Sequence, residues 1–165
     1  MKKFKITGRN LPSQLSTAAT VMTVISLDRM IGEENRAKLD VTIRFKHHDA
    51  EGEAIRKSKN RYEVIVDHHR ITHDAWNREY GPDERTVKIV NIVAHEMTHV
   101  AQYYRGTLVK KSDLLYHHGV NHAVDDLQTY FDAPYEEEAR GKEEGHMIAF
   151  LHTWKKLIDD GVIEL

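Results

Sequence analysis

The chain has 165 residues, enough for a domain that buries roughly 70% of its unfolded surface without covalent staples. It contains no cysteine, which excludes a disulfide framework, thiolate metal sites and a cysteine nucleophile. With 24 Lys+Arg against 26 Asp+Glu the net charge is −2, so bulk charge does not favour nucleic acid, and 12 histidines direct the search to metal ligation.

No segment reaches the roughly 20 apolar residues that cross a bilayer. The basic start, Met1 to Gly8, lacks the apolar stretch of a signal peptide, so a cytoplasmic location and no membrane partner are expected. One domain over residues 1–165 is expected. Phe4 and Ile6 alternate with lysines, as in a short first strand. Ser13 or Ser16 is placed to cap a helix running to about Met30, with Leu15, Ala19, Met22, Ile25 and Leu27 inward and Gly32 as the stop. Val41, Ile43 and Phe45 alternate with polar residues, as do Tyr62, Val64 and Val66. Both read as half-buried strands, joined as a hairpin by a charged excursion over 47–60.

The strongest helix lies mid-chain. Pro82 fits its first position, Asp83 and Glu84 fit the positive end of the dipole, and Gly106 fits the stop. Val90, Val93, Met97, Val100 and Tyr104 form one row, and Ile89, Ile92, Glu96 and His99 form a second beside it. Such a wide apolar arc belongs to a helix buried through the domain centre. A last helix is expected from about Pro134 to Gly161, with Met147, Phe150, Leu151, Trp154 and Leu157 on one face. Gly141 and Gly145 each cost about 1 kcal/mol against alanine and are expected to interrupt or kink it. The predicted fold is α+β: a first helix, a small mixed or antiparallel sheet, the central helix and a C-terminal helix.

Inside the central helix stands His95-Glu96-Met97-Thr98-His99, an HExxH pentad. Residues four apart share a helix face, so two imidazoles can grip one ion, and Glu96, one step round, can act as general base on a water beside it. Chance alone gives roughly 0.07 such pentads in this composition. Its place on a buried arc strengthens it, because a buried glutamate needs a compensating partner.

Catalytic zinc takes three protein ligands and a water. Gln102 and Arg105 exclude the metzincin continuation, which needs Gly and His there. A third ligand must come from downstream. Either the carboxylates Glu136 to Glu138, opening a helix behind Pro134, or His117, His118 and His122 can supply it. The pairs His47-His48 and His68-His69 read as surface or loop residues. Trp76, Trp154 and Tyr103-Tyr104 read as core or rim aromatics.

The segments HEMTHVAQYYRGTL, YHHG and YFDAPYEEEAR resemble the small single-domain zinc metallopeptidases of phages and bacteria, within the broad gluzincin class. The resemblance runs from Ile92 to Arg140, under a third of the chain. It implies a zincin-like fold in which His95, His99 and Glu136 hold Zn2+, Glu96 is the general base, and Glu138 lies behind the site or on the surface. Tyr116 and Tyr135 stand where that group often has tryptophan. The implied function is a zinc metallopeptidase acting on a peptide or protein substrate. Tyr130, Tyr135, His117 and His118 are candidates to stabilise the oxyanion, with Tyr130 and His118 foremost. YHHG is also similar to the third-ligand segment of SprT-like proteases, which act on proteins crosslinked to DNA. The missing basic patch ranks that reading second and makes a nucleic-acid partner unexpected. A non-catalytic module stapled by zinc is a further alternative; it needs a fourth protein ligand, such as His118 or His122.

Overall fold

A computed structural model describes residues 4–71, 81–112, 114–122 and 126–163. Trp76 lies outside these residues. The architecture is α+β. Strand β1 (Lys5–Gly8) is followed by helix α1 (Ser13–Ile31), the short helix α2 (Glu33–Arg36) and strands β2 (Asp40–Phe45), β3 (Gly52–Ser58) and β4 (Arg61–Val66). Helix α3 (Pro82–Arg105) precedes strands β5 (Leu108–Lys111), β6 (Leu114–His117) and β7 (Val120–His122), then helices α4 (Leu127–Phe131) and α5 (Pro134–Asp159). Among the described residues, no helix is long and apolar enough to cross a membrane.

The first sheet has the order β1-β2-β4-β3. Strands β2 and β4 run parallel, with Ile43 opposite Val64, so the expected hairpin between them does not form. The charged excursion itself supplies β3, which pairs antiparallel with β4 and stands at the sheet edge. Its sequence, GEAIRKS, has only two adjacent apolar residues, because an edge strand half in water does not need strict alternation.

Helix α1 packs on α3, with Leu15, Ala19, Met22 and Leu27 in the core. Pro12 occupies its N-cap position, so neither Ser13 nor Ser16 caps it; Gly32 ends it as expected. Helix α3 starts at Pro82 and ends at Gly106, whose left-handed backbone (φ 76°) closes the last turn. Val90, Val93, Met97 and Val100 are wholly buried, each contributing about 1.5–3 kcal/mol if its side chain is fully transferred from water. This row fixes the rotation of α3 and so aims the pentad.

Helix α5 runs unbroken through Gly141 and Gly145. At Gly145 a Cβ would lie 3.3 Å from the Arg29 guanidinium of α1, so glycine there permits close helix packing. Packing of α5 on α1 and α3 overrides the local propensity cost. Phe150 is buried and Met147 and Trp154 lie against the core, but Leu151 points to solvent. Tyr103 is buried and Tyr104 half-buried. The second sheet, β5-β6-β7, is antiparallel and has no counterpart in the sequence reading.

Candidate metal centre

The two helices α3 and α5 bring three side chains to one point. His95 and His99 project from adjacent turns of α3, and Glu136 stands in the first turn of α5 just after Pro134. The His95 Nε2 to His99 Nε2 distance is 3.1 Å, His95 Nε2 to Glu136 Oε2 is 3.0 Å, and His99 Nε2 to Glu136 Oε1 is 3.3 Å. A tetrahedral ion with bonds of about 2.0–2.1 Å needs ligand atoms about 3.3 Å apart. The triangle matches that spacing, and two imidazoles with one carboxylate form a donor set suited to zinc.

The tautomers fit as well. Glu143, two turns along α5 from Glu136, accepts from His95 Nδ1 at 2.8 Å and is itself fixed by Asn91 Nδ2 at 2.6 Å. The Gln102 amide donates to Tyr135 O at 3.0 Å and to Glu138 at 2.9 Å, so its oxygen is the acceptor for His99 Nδ1–H at 2.8 Å. With both Nδ1 atoms protonated, both Nε2 lone pairs face the carboxylate. Such partners hold ligating histidines in register in metal sites. Burial opposes a charge on His95, but the hydrogen bonds to Glu136 and Glu143 prevail and raise its pKa to about 10. The same network holds Glu136 well below the usual carboxylate range despite its burial.

Glu96 is 5% exposed and lies beside the triangle, where burial lifts its pKa against the pull of both histidines. Room for it is made by β3. A Cβ on Gly52 would stand 2.6 Å from Glu96 Oε1 and 2.8 Å from Ile92 Cγ2. We therefore expect Gly52→Ala to displace the Glu96 carboxylate and to lower any Glu96-dependent turnover about tenfold or more, with bound metal retained. Equal turnover in steady-state assays would show that the carboxylate is not confined there.

A cavity of about 290 Å³ opens beside this cluster, lined by Glu96, His99 and Glu136 and by Gly52 to Arg56 of β3. Tyr103, Leu108, Lys110, Leu115, Tyr130 and Tyr135 complete its walls. Desolvation of the Tyr130 hydroxyl and the negative charge of Glu136 near it raise its pKa above the ordinary range. Tyr135 packs edge-on to His99, with ring centres 6.1 Å apart, and its buried hydroxyl has no partner among the described residues.

His118 is not brought to the cluster. It sits with Gly119 in the two-residue turn between β6 and β7, both at positive φ, where its role is to reverse the chain. His117 is buried against Tyr135 and points toward Glu138, with its Nε2 3.7 Å from Oε2. His122 packs near the same tyrosine. Among the described residues, the ligand atoms that converge are those of His95, His99 and Glu136. His47 pairs with Asp67 and His48 with Glu53, and the rings of His68 and His69 lie tilted against each other.

Glu143 and Asn91 escape a reading of the sequence that stops at ligands. The signal was present: Asn91 is four before His95, and Glu143 is seven after Glu136, each on a shared helical face. We expect Glu143→Ala to weaken zinc binding about 10–100-fold, as loss of a ligand-orienting carboxylate does elsewhere. Chelator competition measures this, and an unchanged affinity would remove Glu143 from the site. No protein-family model matches the chain, and no curated protein or solved structure matches it significantly.

Proposed function

We propose that the protein is a zinc-dependent peptidase of gluzincin type with a zincin-like fold. The observation that carries this reading is the near-tetrahedral triangle of His95, His99 and Glu136, with buried Glu96 beside it at the end of a cavity. A divalent ion held there supplies Lewis acidity, polarising the scissile carbonyl and lowering the pKa of a water toward about 7. Glu96 takes the proton of the attacking water and passes it to the leaving amine. Its raised pKa suits both halves of that task. Tyr130 and Tyr135 line the cavity with hydroxyls that stay neutral, which makes them the candidates to stabilise the developing oxyanion. The exposed side of β3 offers main-chain hydrogen bonds to an extended peptide lying along the cavity.

An open site and a closed structural one differ in a simple test. Cobalt-substituted protein is expected to shift its visible absorption bands on adding acetohydroxamate, which enters the fourth position. Unmoved bands would mean that the protein fills all four positions, as a zinc-stapled module requires.

A further inference from the structure

The cavity that carries the peptidase reading has a second chemical feature. Part of its lining is apolar or aromatic, with Leu108, Tyr103 and Tyr135 all buried. Its rim carries two exposed cations, Arg56 at the far end of β3 and Lys110 on β5. Among the described residues neither pairs with a carboxylate. The Arg56 Nε–H meets only the Ser58 carbonyl, at 3.4 Å. The acids that share the cavity are engaged elsewhere. Glu53 pairs with His48 at 3.0 Å, Glu136 with both pentad histidines, and Glu96 is buried against Gly52 and Ile92.

Position along the strand gives a distance. Gly52 abuts Glu96, and Arg56 follows four residues later, about 13 Å at the rise of a strand. An extended substrate beside β3 covers that span in up to four residues. We propose that, on the peptidase reading above, this cavity selects peptides bearing a carboxylate two to four residues from the scissile bond, which Arg56 and Lys110 bind, with a bulky apolar side chain seated between. Arginine presents a planar fork to a carboxylate and lysine a point charge, so together they favour that group over its neutral amide. An acidic side chain and a free C-terminus both present it.

The test separates these two sources and also separates binding from cleavage. Fluorescein-labelled Ala-Gly-Leu-Ala-Glu-Ala amide, its Gln isostere, and Ala-Gly-Leu-Ala as free acid and as amide are titrated by anisotropy into the zinc-loaded Glu96→Gln protein. The same peptides are then offered to zinc-loaded wild type and the products followed by mass spectrometry. A carboxylate peptide is expected to bind about tenfold tighter than its amide partner, and Arg56→Gln/Lys110→Gln is expected to bring that ratio to about one. Preference for the Glu peptide assigns an acidic side chain; preference for the free acid alone assigns the C-terminus. Arg56→Glu/Lys110→Glu is expected to favour a Lys peptide over Gln, a gain that misfolding cannot mimic. Equal binding of both carboxylate peptides and their amide partners, or a preference that survives loss of both cations, overturns the proposal. Preference without cleavage by wild type leaves the carboxylate site standing and ends the peptidase reading. Cleavage without preference does the reverse.

Discussion

Glu96→Gln is expected to keep its zinc and to lower kcat about 10³-fold, within the range of a lost general base. The amide matches the carboxylate in shape, so it fits the space that Gly52 leaves and disturbs neither His95 nor His99. It cannot receive a proton. The wild-type side chain is almost fully enclosed, and burial raises its affinity for a proton. Zinc content by atomic absorption and kcat on a cleavable peptide are measured on the same preparation. A variant that turns over like wild type would leave Glu96 without a chemical role, however well the metal is held.

The second large effect falls on the metal itself. Glu136 is 3% exposed, touches both imidazoles and supplies the anionic member of the triangle. Structural zinc sites bind with about 10–16 kcal/mol in all, so one ligand of three or four accounts for about 3 kcal/mol. Glu136→Ala is therefore expected to lose about 100-fold in zinc affinity, read by competition with a chromophoric chelator. Part of the loss is offset, because the same carboxylate holds a competing proton on His95. That proton gives wild-type binding its pH dependence. The hydrogen bonds to Glu136 and Glu143 raise the pKa of His95, so an ion bound there must displace a proton, and its apparent affinity is expected to rise with pH. An affinity untouched by Glu136→Ala would move the third ligand to another group.

Some of this molecule is legible in its sequence, and the rest is hidden for physical reasons. Helix α3 was legible because burial on several sides writes a wide apolar arc into consecutive turns, and Pro82 and Gly106 mark its ends. The spacing of His95 and His99 follows from the same period. Glu136 was singled out by likeness to other sequences; nothing in its neighbourhood distinguishes a ligand from the acidic first turn that any helix favours. Strands β5 to β7 were missed because they are only three or four residues long, and Leu114 and Val120 on them face solvent. Parallel pairing of β2 with β4 was equally hidden, since alternation reports which face is buried and not which neighbour lies alongside. Gln102 holds His99 through an amide flanked by Tyr135 and Glu138, and those partners come from α5, more than thirty residues away.

The triangle draws its members wholly from α3 and α5, whereas Leu108, Lys110 and Leu115 of the cavity lining come from the short strands inserted between those helices. On the peptidase reading, part of the surface that meets a substrate is thus written in a different stretch of chain from the three ligands. A graft exchanging residues 108–117 would retune selectivity while the ion's grip stays as it is, an arrangement in which new preferences can arise without relearning the chemistry.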